Sequence, residues 1–224
     1  MAELYLVRHA QASFGTDDYD RLSELGHRQS RWLGDYFAER GLAFDRTVVG
    51  TLRRHRETLD GILAAGVQAA PAVQHPGLNE YEAETLLRAH LQGKALPPAS
   101  PDGDRRQHFR MLREALTAWT AGTLQCGDRH LPFDAFCGGV RDAMTAARAE
   151  GARRVLVVSS GGPISTAIGA ALGAPPTTMV DLNLQMRNTG VSEFAFGAQS
   201  LRVVSFNNVP HLDRADRRGF VTYS

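Results

Sequence analysis

The sequence is short of lysine. Lys94 is the only one among 25 basic residues, so nearly all positive charge is carried by arginine. That usage fits a GC-rich bacterial coding bias as readily as a function, although arginine's planar fork suits phosphate and carboxylate. Cysteine is scarce too: Cys126 and Cys137 cannot make a disulfide framework or a thiolate metal cluster, and they read as free thiols of a reducing compartment. No apolar run approaches the ~20 residues needed to cross a bilayer. The opening run is interrupted by Glu3 and Arg8, too early for a secretory signal, so the expected location is cytoplasmic. Net charge is also lacking, at +1, which removes any general pull toward nucleic acid or a membrane surface. Specificity for an anion must come from local placement of charge.

What is present is an ordinary globular composition, 43% hydrophobic over 224 residues, enough to bury one sizeable core. Apolar, β-branched runs at 3–7, 46–49 and 154–159 read as strands buried on both faces, and 71–75 as a further short strand. "LSELGHRQSRWLGDYFAERG" reads as a helix with Ser23 as N-cap, Leu33 and Phe37 four apart and Gly41 as the stop. A second helix runs from after Thr51 to about Ala65. From Glu80 to about Gly151 the pattern turns helical, with Phe109, Leu112, Leu116 and Trp119 on one stripe and Phe136, Val140 and Met144 on another. "KALPPASPDGDRR", 94–106, reads as a loop. "RRVLVVSSGGPISTAIGAALG" gives strand, glycine turn and helix, with Pro163 in the first turn. "VSEFAFGAQSLRVVSFN" reads as a hairpin. The expected architecture is a three-layer α/β/α sandwich with a mostly parallel central sheet, formed by one domain over 1–224 with a helical insertion at about 80–150.

Three of these strands end in groups suited to a phosphate. "LYLVRHAQAS" breaks off in Arg8 and His9, at what is the ligand edge of an open α/β sheet. "TLRRHRET" brings arginines to the corresponding end of the next strand. The turn Ser159–Gly162 offers free backbone N–H groups at a helix start. One such end is usually a solvated charge; three together point to an anion site.

These residues resemble the histidine phosphatase superfamily, the phosphoglycerate mutase-like proteins, in which an Arg-His-Gly-Glu/Gln motif ends the first strand. The resemblance continues in "LSELGHRQ", "GTLRRHRET", "LNEYE", the strand–turn–helix at 155–172 and "RNTGVSEF", in order along nearly the whole chain. It implies that His9 is the nucleophile, carrying the phosphoryl group as a phosphohistidine. It makes Arg8 and Arg54 the phosphate clamps and Glu80 the acid that protonates the leaving oxygen. Arg53 or Arg56 could stand in for Arg54, and Glu82 or Glu84 for Glu80. Gln11 and Ser13 either line the mouth of the site or cap a loop.

The family's Ser-His-Gly after its late strand reads Ser159-Ser160-Gly161-Gly162 here, so Ser160 stands where the resemblance implies a second histidine. Ser160 and Gly161 are expected to contact the phosphoryl group, Ser160 as a weaker donor. The alternative rescue is His211, in "NNVPHLD" after the last strand, reaching into the site; its other reading is a surface residue of the tail. A rival set of Ser160, Asp181 and His211 has the order of an α/β-hydrolase triad. It puts Val158 where the nucleophile elbow needs glycine, and leaves "RHAQ" unexplained.

The resemblance thus implies a metal- and cofactor-independent phosphatase acting on a small phosphorylated metabolite, with activity weakened at Ser160. Its alternatives are a non-catalytic phospholigand-binding member of the same fold and a phosphoglycerate mutase. Nucleic acid and membrane are not expected partners, and a homodimer is left open.

Overall fold

The apolar run that opens the chain becomes β1 (Ala2–Arg8), the pivot of the sheet in the computed structural model, which describes residues 1–13, 18–92, 105–124, 127 and 131–223. β1 pairs in parallel with β6 (Arg154–Ser159) on one side and antiparallel with β7 (Val191–Phe196) on the other. Outward from β6 lie β3 (Arg46–Val49) and β5 (Ala72–Gln74), and outward from β7 lies β8 (Leu201–Asn208), giving the order β5-β3-β6-β1-β7-β8. The four strands from β5 to β1 are parallel and β7–β8 is the expected hairpin. β2 (Ala43–Phe44) and β4 (Gln68–Ala69) form a separate two-stranded pair.

The central strands are apolar on both sides because both faces are covered. Val7, Val49, Leu156 and Val158 point to one face, where α1 (Glu24–Glu39) and α2 (Arg53–Leu63) bury Leu33, Phe37, Leu59 and Ile62. Leu4, Leu6, Val48, Val155 and Val157 point to the other. That face is covered by α3 (Ala83–His90), α4 (Arg105–Thr120), α5 (Phe133–Ala147), α6 (Gly161–Leu172) and α7 (Pro176–Leu184). This is the three-layer α/β/α sandwich, each fully buried Leu or Phe contributing roughly 1.5–3 kcal/mol. α3, α4 and α5 fall between β5 and β6 in the chain.

Local signals act as expected at α1: Ser23 Oγ accepts from the Gly26 N–H, and Gly41 takes the left-handed conformation, φ 61°, that ends the helix. The stripe on α5 is buried as read, but on α4 the stripe is Leu112, Ala115, Leu116 and Trp119. Phe109, one turn earlier, is 39% exposed. The side-chain pairs that join α4 to α3 and α7 lie farther along the helix, at Glu114 with His90 and Arg113 with Asp181. Most of the 94–106 stretch lies outside the described residues, and its last two residues open α4. Cys137 is half-buried, with its thiol pushed up by that burial, and Cys126 lies outside the described residues. Among the described residues no helix is long and apolar enough to cross a membrane.

Candidate active site

The sheet register places β1, β3 and β6 so that their C-terminal ends share one edge: Arg8 pairs with Ser159 and Val49 with Val158. Because β6 slots between β3 and β1 while the chain runs from β1 to β3, connections leave this edge in both directions, opening a crevice there.

His9 follows β1 and is held by its backbone. Its N–H donates to the Ser159 carbonyl at 2.9 Å, and its own carbonyl accepts from the Thr189 N–H at 3.3 Å and from Asn188 Nδ2 at 3.2 Å. The side chain is held as firmly. Nδ1 lies 2.8 Å from the Ala10 carbonyl, an acceptor only, so in the neutral ring Nδ1 carries the proton and Nε2 the lone pair. Burial first, then the charges of Arg54 and Arg8, push the imidazole well below its ordinary pKa. The ring is thereby held toward its neutral form, with the lone pair on Nε2.

Arg8 is buried beside it and donates from Nη1 to the Met186 carbonyl. Of the three candidate arginines on α2, only Arg54 turns inward, its side chain 8% exposed against 47% for Arg53. Arg53 is held outside by Glu57 and Asp18, and Arg56 donates to the Thr51 carbonyl. Arg54 Nη1 donates to Asp20 Oδ1 at 2.7 Å, while Asp20 Oδ2 accepts the Arg53 N–H and so caps α2. Any anion that took up the Arg54 fork would have to compete with Asp20 for it. Thr58, one turn on, ties α2 to the His9 loop: Oγ1 accepts the Ala10 N–H and donates to the Arg54 carbonyl. Arg54→Lys is expected to lower kcat/KM roughly 10- to 100-fold on a phosphate ester, the worth of a charged hydrogen bond. Arg53→Lys should leave steady-state kinetics near wild type, and the reverse pattern would move the clamp to Arg53.

Glu80 follows the short 3-10 turn Pro76–Leu78 and reaches over the start of α6. Its Oε1 accepts the Gly162 N–H at 2.9 Å. A Cβ at position 162 would sit 2.3 Å from that oxygen and 2.7 Å from the Tyr81 ring, so glycine is required there for close approach. Burial raises the Glu80 pKa, against the opposing pull of Arg54 and Arg8, so the carboxyl is biased toward its acid form. Glu82, the N-cap residue of α3, accepts from Thr85 Oγ1, and Glu84 pairs with Arg88, both exposed. Tyr81 anchors Glu80 in the core, packed on Trp119 and Phe136 and accepting at Oη from Asn183 Nδ2 at 2.6 Å. Helices α4 and α5 therefore bear directly on the residue next to Glu80.

Three further candidates hold partners of their own. Gln11 does not offer its side-chain oxygen to the site: Oε1 accepts from Ser23 Oγ at 2.7 Å, and its N–H donates to Gln29 Oε1. Its role is to fasten the loop after β1 to α1. Ser13 is paired through its backbone N–H with the Arg21 carbonyl. His211 is neither a surface residue nor turned to Ser160. It is buried, with Nε2 2.8 Å from Thr189 Oγ1. The physical reason is that the chain after β8 returns behind the His9 loop, where Thr189 sits at φ 55°, an unusual conformation for a β-branched residue. His211 braces that conformation, and the Thr189 N–H in turn holds the His9 carbonyl.

His211 is pushed down to about 3, by burial and then by Arg217, and is buried neutral. Since its ordinary value is 6.5, the unfolded chain binds the proton first as pH falls, so its contribution to stability is present above about 6.5 and lost toward 3. His211→Ala is expected to cost about 2 kcal/mol in denaturant unfolding at pH 7 and to flatten the loss of stability in acid. Activity per folded molecule should stay within a few-fold; a loss comparable to that of a catalytic group would return His211 to the site.

A second buried histidine does lie near His9, one that the sequence analysis did not single out. His55, on α2 next to Arg54, is fully buried with Nε2 2.7 Å from Ser160 Oγ, and its ring centroid lies 5.7 Å from that of His9. The available signal was the spacing of Arg54, Thr58 and Ile62 with His55 and Leu59, which puts both basic residues on the buried stripe of α2.

The family model of the histidine phosphatase superfamily (branch 1) matches residues 4–209. No protein of curated function matches in sequence. Among solved structures, a mutant phosphoserine phosphatase from Entamoeba histolytica in complex with phosphoserine is 20% identical at TM-score 0.63, covering 95% of this chain and 100% of its own. The alpha-ribazole phosphatase from Shigella flexneri is 19% identical at TM-score 0.64, with 92% and 96% covered. A mycobacterial glucosyl-3-phosphoglycerate phosphatase is 18% identical at TM-score 0.63, with 92% and 99% covered. At these identities the structures agree in fold, and the match over nearly the whole chain establishes that this protein belongs to the histidine phosphatase superfamily.

Proposed function

We propose that this protein is a phosphatase that moves the phosphoryl group of a small phosphorylated metabolite onto His9 Nε2 and then to water. The observation that carries this reading is the setting of His9: a buried imidazole whose Nδ1 faces the Ala10 carbonyl and leaves Nε2 free, with the charges of Arg8 and Arg54 acting both on it and on the Glu80 carboxyl, which burial pushes toward its acid form. A site that only bound phosphate would gain from a charged histidine and from the absence of Glu80. This one holds a nucleophile and an acid.

In the first step the Nε2 lone pair forms a bond to phosphorus as the bond to the leaving oxygen breaks, and Glu80 gives its proton to that oxygen. Arg8 and Arg54 neutralise the non-bridging oxygens, which carry the charge of a loose transition state. In the second, the Glu80 carboxylate takes a proton from water as its oxygen attacks phosphorus, and His9 leaves as neutral imidazole. The residues named supply every proton and charge these steps require, so neither a cofactor nor a metal is invoked. The stretch around 80–150 shapes the substrate pocket, because α4 and α5 pack on Tyr81.

The structural neighbours named for phosphoserine, alpha-ribazole and glucosyl-3-phosphoglycerate support a phosphomonoester substrate. The test is phosphate release from a panel of phosphoserine, sugar phosphates, phosphoglycerates and nucleotides in the presence of a chelator. Turnover of at least one ester with chelator present is expected. Release from none, or only with added metal, would overturn the reading.

A further inference from the structure

Two buried polar groups beside His9 are left without a role by these steps: the His55 imidazole and the Ser160 hydroxyl, paired at 2.7 Å. We infer that they form a donor arm of the phosphoryl site, in which Ser160 donates its proton to a phosphoryl oxygen and His55, standing behind it, donates Nε2–H to Ser160 Oγ. The inference rests on the phosphatase reading and adds to it a positioning residue, His55.

The first support is what Ser160 does not do. It occupies the N-cap position of α6, where a serine hydroxyl ordinarily accepts from an N–H of the first turn. Here it makes no such bond, and the Gly162 N–H goes instead to Glu80. The hydroxyl is diverted from capping to His55. The second support is how His55 is accommodated. The turn after β3 is built around the ring: a Cβ on Gly50 would stand 2.1 Å from Nδ1. On the buried face of α2, where Leu59 and Ile62 make apolar core, an imidazole must be desolvated, and Ser160 is its hydrogen-bond partner. Nδ1 has no partner among the described residues.

The direction of the bond follows from the ligand. If the Ser160 proton pointed at Nε2, only oxygen lone pairs would face an anionic phosphoryl group. With Nε2–H donating instead, the one hydroxyl proton is turned outward and is strengthened by the donor behind it. The arm then completes a ring of donors with Arg8 and Arg54 around the group that His9 attacks. It also leaves no room for an imidazole at position 160.

The experiment compares Ser160→Ala, His55→Leu, the double variant, His55→Gln and Ser160→His. It reads kcat and KM on p-nitrophenyl phosphate and affinity for inorganic phosphate by calorimetry. Ser160→Ala and His55→Leu should each lower kcat roughly 100-fold, the effect of one transition-state donor, with a smaller change in KM. The double variant should be no worse than either single one. His55→Gln, which can present an N–H at similar reach, should recover most of the rate, whereas Ser160→His should lower it. If His55→Leu fails to fold, Ser160→Ala and His55→Gln still carry the test. A His55→Leu variant equal to wild type in rate and in phosphate affinity, or losses that multiply in the double variant, would overturn the arm and leave the phosphatase reading standing. A wild type that binds phosphate without turning over any ester, with binding weakened about tenfold in both single variants, would overturn the phosphatase reading and leave the arm.

Discussion

His9→Ala is expected to abolish phosphate release, by about 10³-fold or more, while the protein remains folded. Folding should survive because His9 is held by its backbone, through Ser159, Asn188 and Thr189, and none of these bonds needs the ring. Since the ring is buried, a modest loss of stability accompanies the change. The direct measurement is trapping. Wild type mixed with a labelled phosphate ester and quenched in alkali should carry phosphate on protein, and the label should be lost in acid, as the phosphorus–nitrogen bond requires. His9→Ala should carry none. Label retained in that variant, or turnover at the wild-type rate, would place the nucleophile elsewhere. The lowered pKa of His9 adds a condition: its attack should persist to lower pH than an ordinary histidine would allow, because burial and the two arginines favour the neutral ring.

The three strand ends that meet at His9 were legible because their signals are local. An apolar β-branched run broken by Arg8 and His9, or by Ser159 to Gly162, marks the end of a buried strand whatever else the chain does. Glu80 and Arg54 were harder, since each has near neighbours of the same charge. Around a helix, residues 53, 54 and 56 point in different directions, and only the packing of Thr58 and Ile62 selects Arg54. His55 escaped notice for a different reason. Its partner lies 105 residues away, so the pair exists only once β6 has slotted beside β3. Gln11 and His211 were each read two ways, in the site or outside it, because their partners Ser23 and Thr189 stand 12 and 22 residues away. Phe109 fits the helical period yet is exposed. Periodicity says which face a residue shares, but not how far along the helix that face is covered.

Glu80→Gln should separate the two chemical steps, because the amide keeps an oxygen for the Gly162 N–H and loses only the transferable proton. For an alkyl phosphate, whose alkoxide cannot leave unprotonated, kcat should fall by roughly 10²–10⁴-fold. For p-nitrophenyl phosphate the leaving phenolate needs no proton, so the first step should proceed near the wild-type rate. Hydrolysis of the phosphohistidine still needs a base, and without the Glu80 carboxylate it should stall. The expected result is therefore a burst of one p-nitrophenolate per site followed by a slow steady state, with phosphate accumulating on His9. The pH profile adds an independent sign. Because the Glu80 pKa is raised, the acid form persists to higher pH than an ordinary carboxyl, and the rate on alkyl esters falls as pH rises through it. That falling limb should vanish in Glu80→Gln, whereas Glu82→Gln, at the exposed N-cap of α3, should keep it. Equal losses on alkyl and aryl esters, with no burst, would mean that the proton comes from another group and that Glu80 only positions the start of α6.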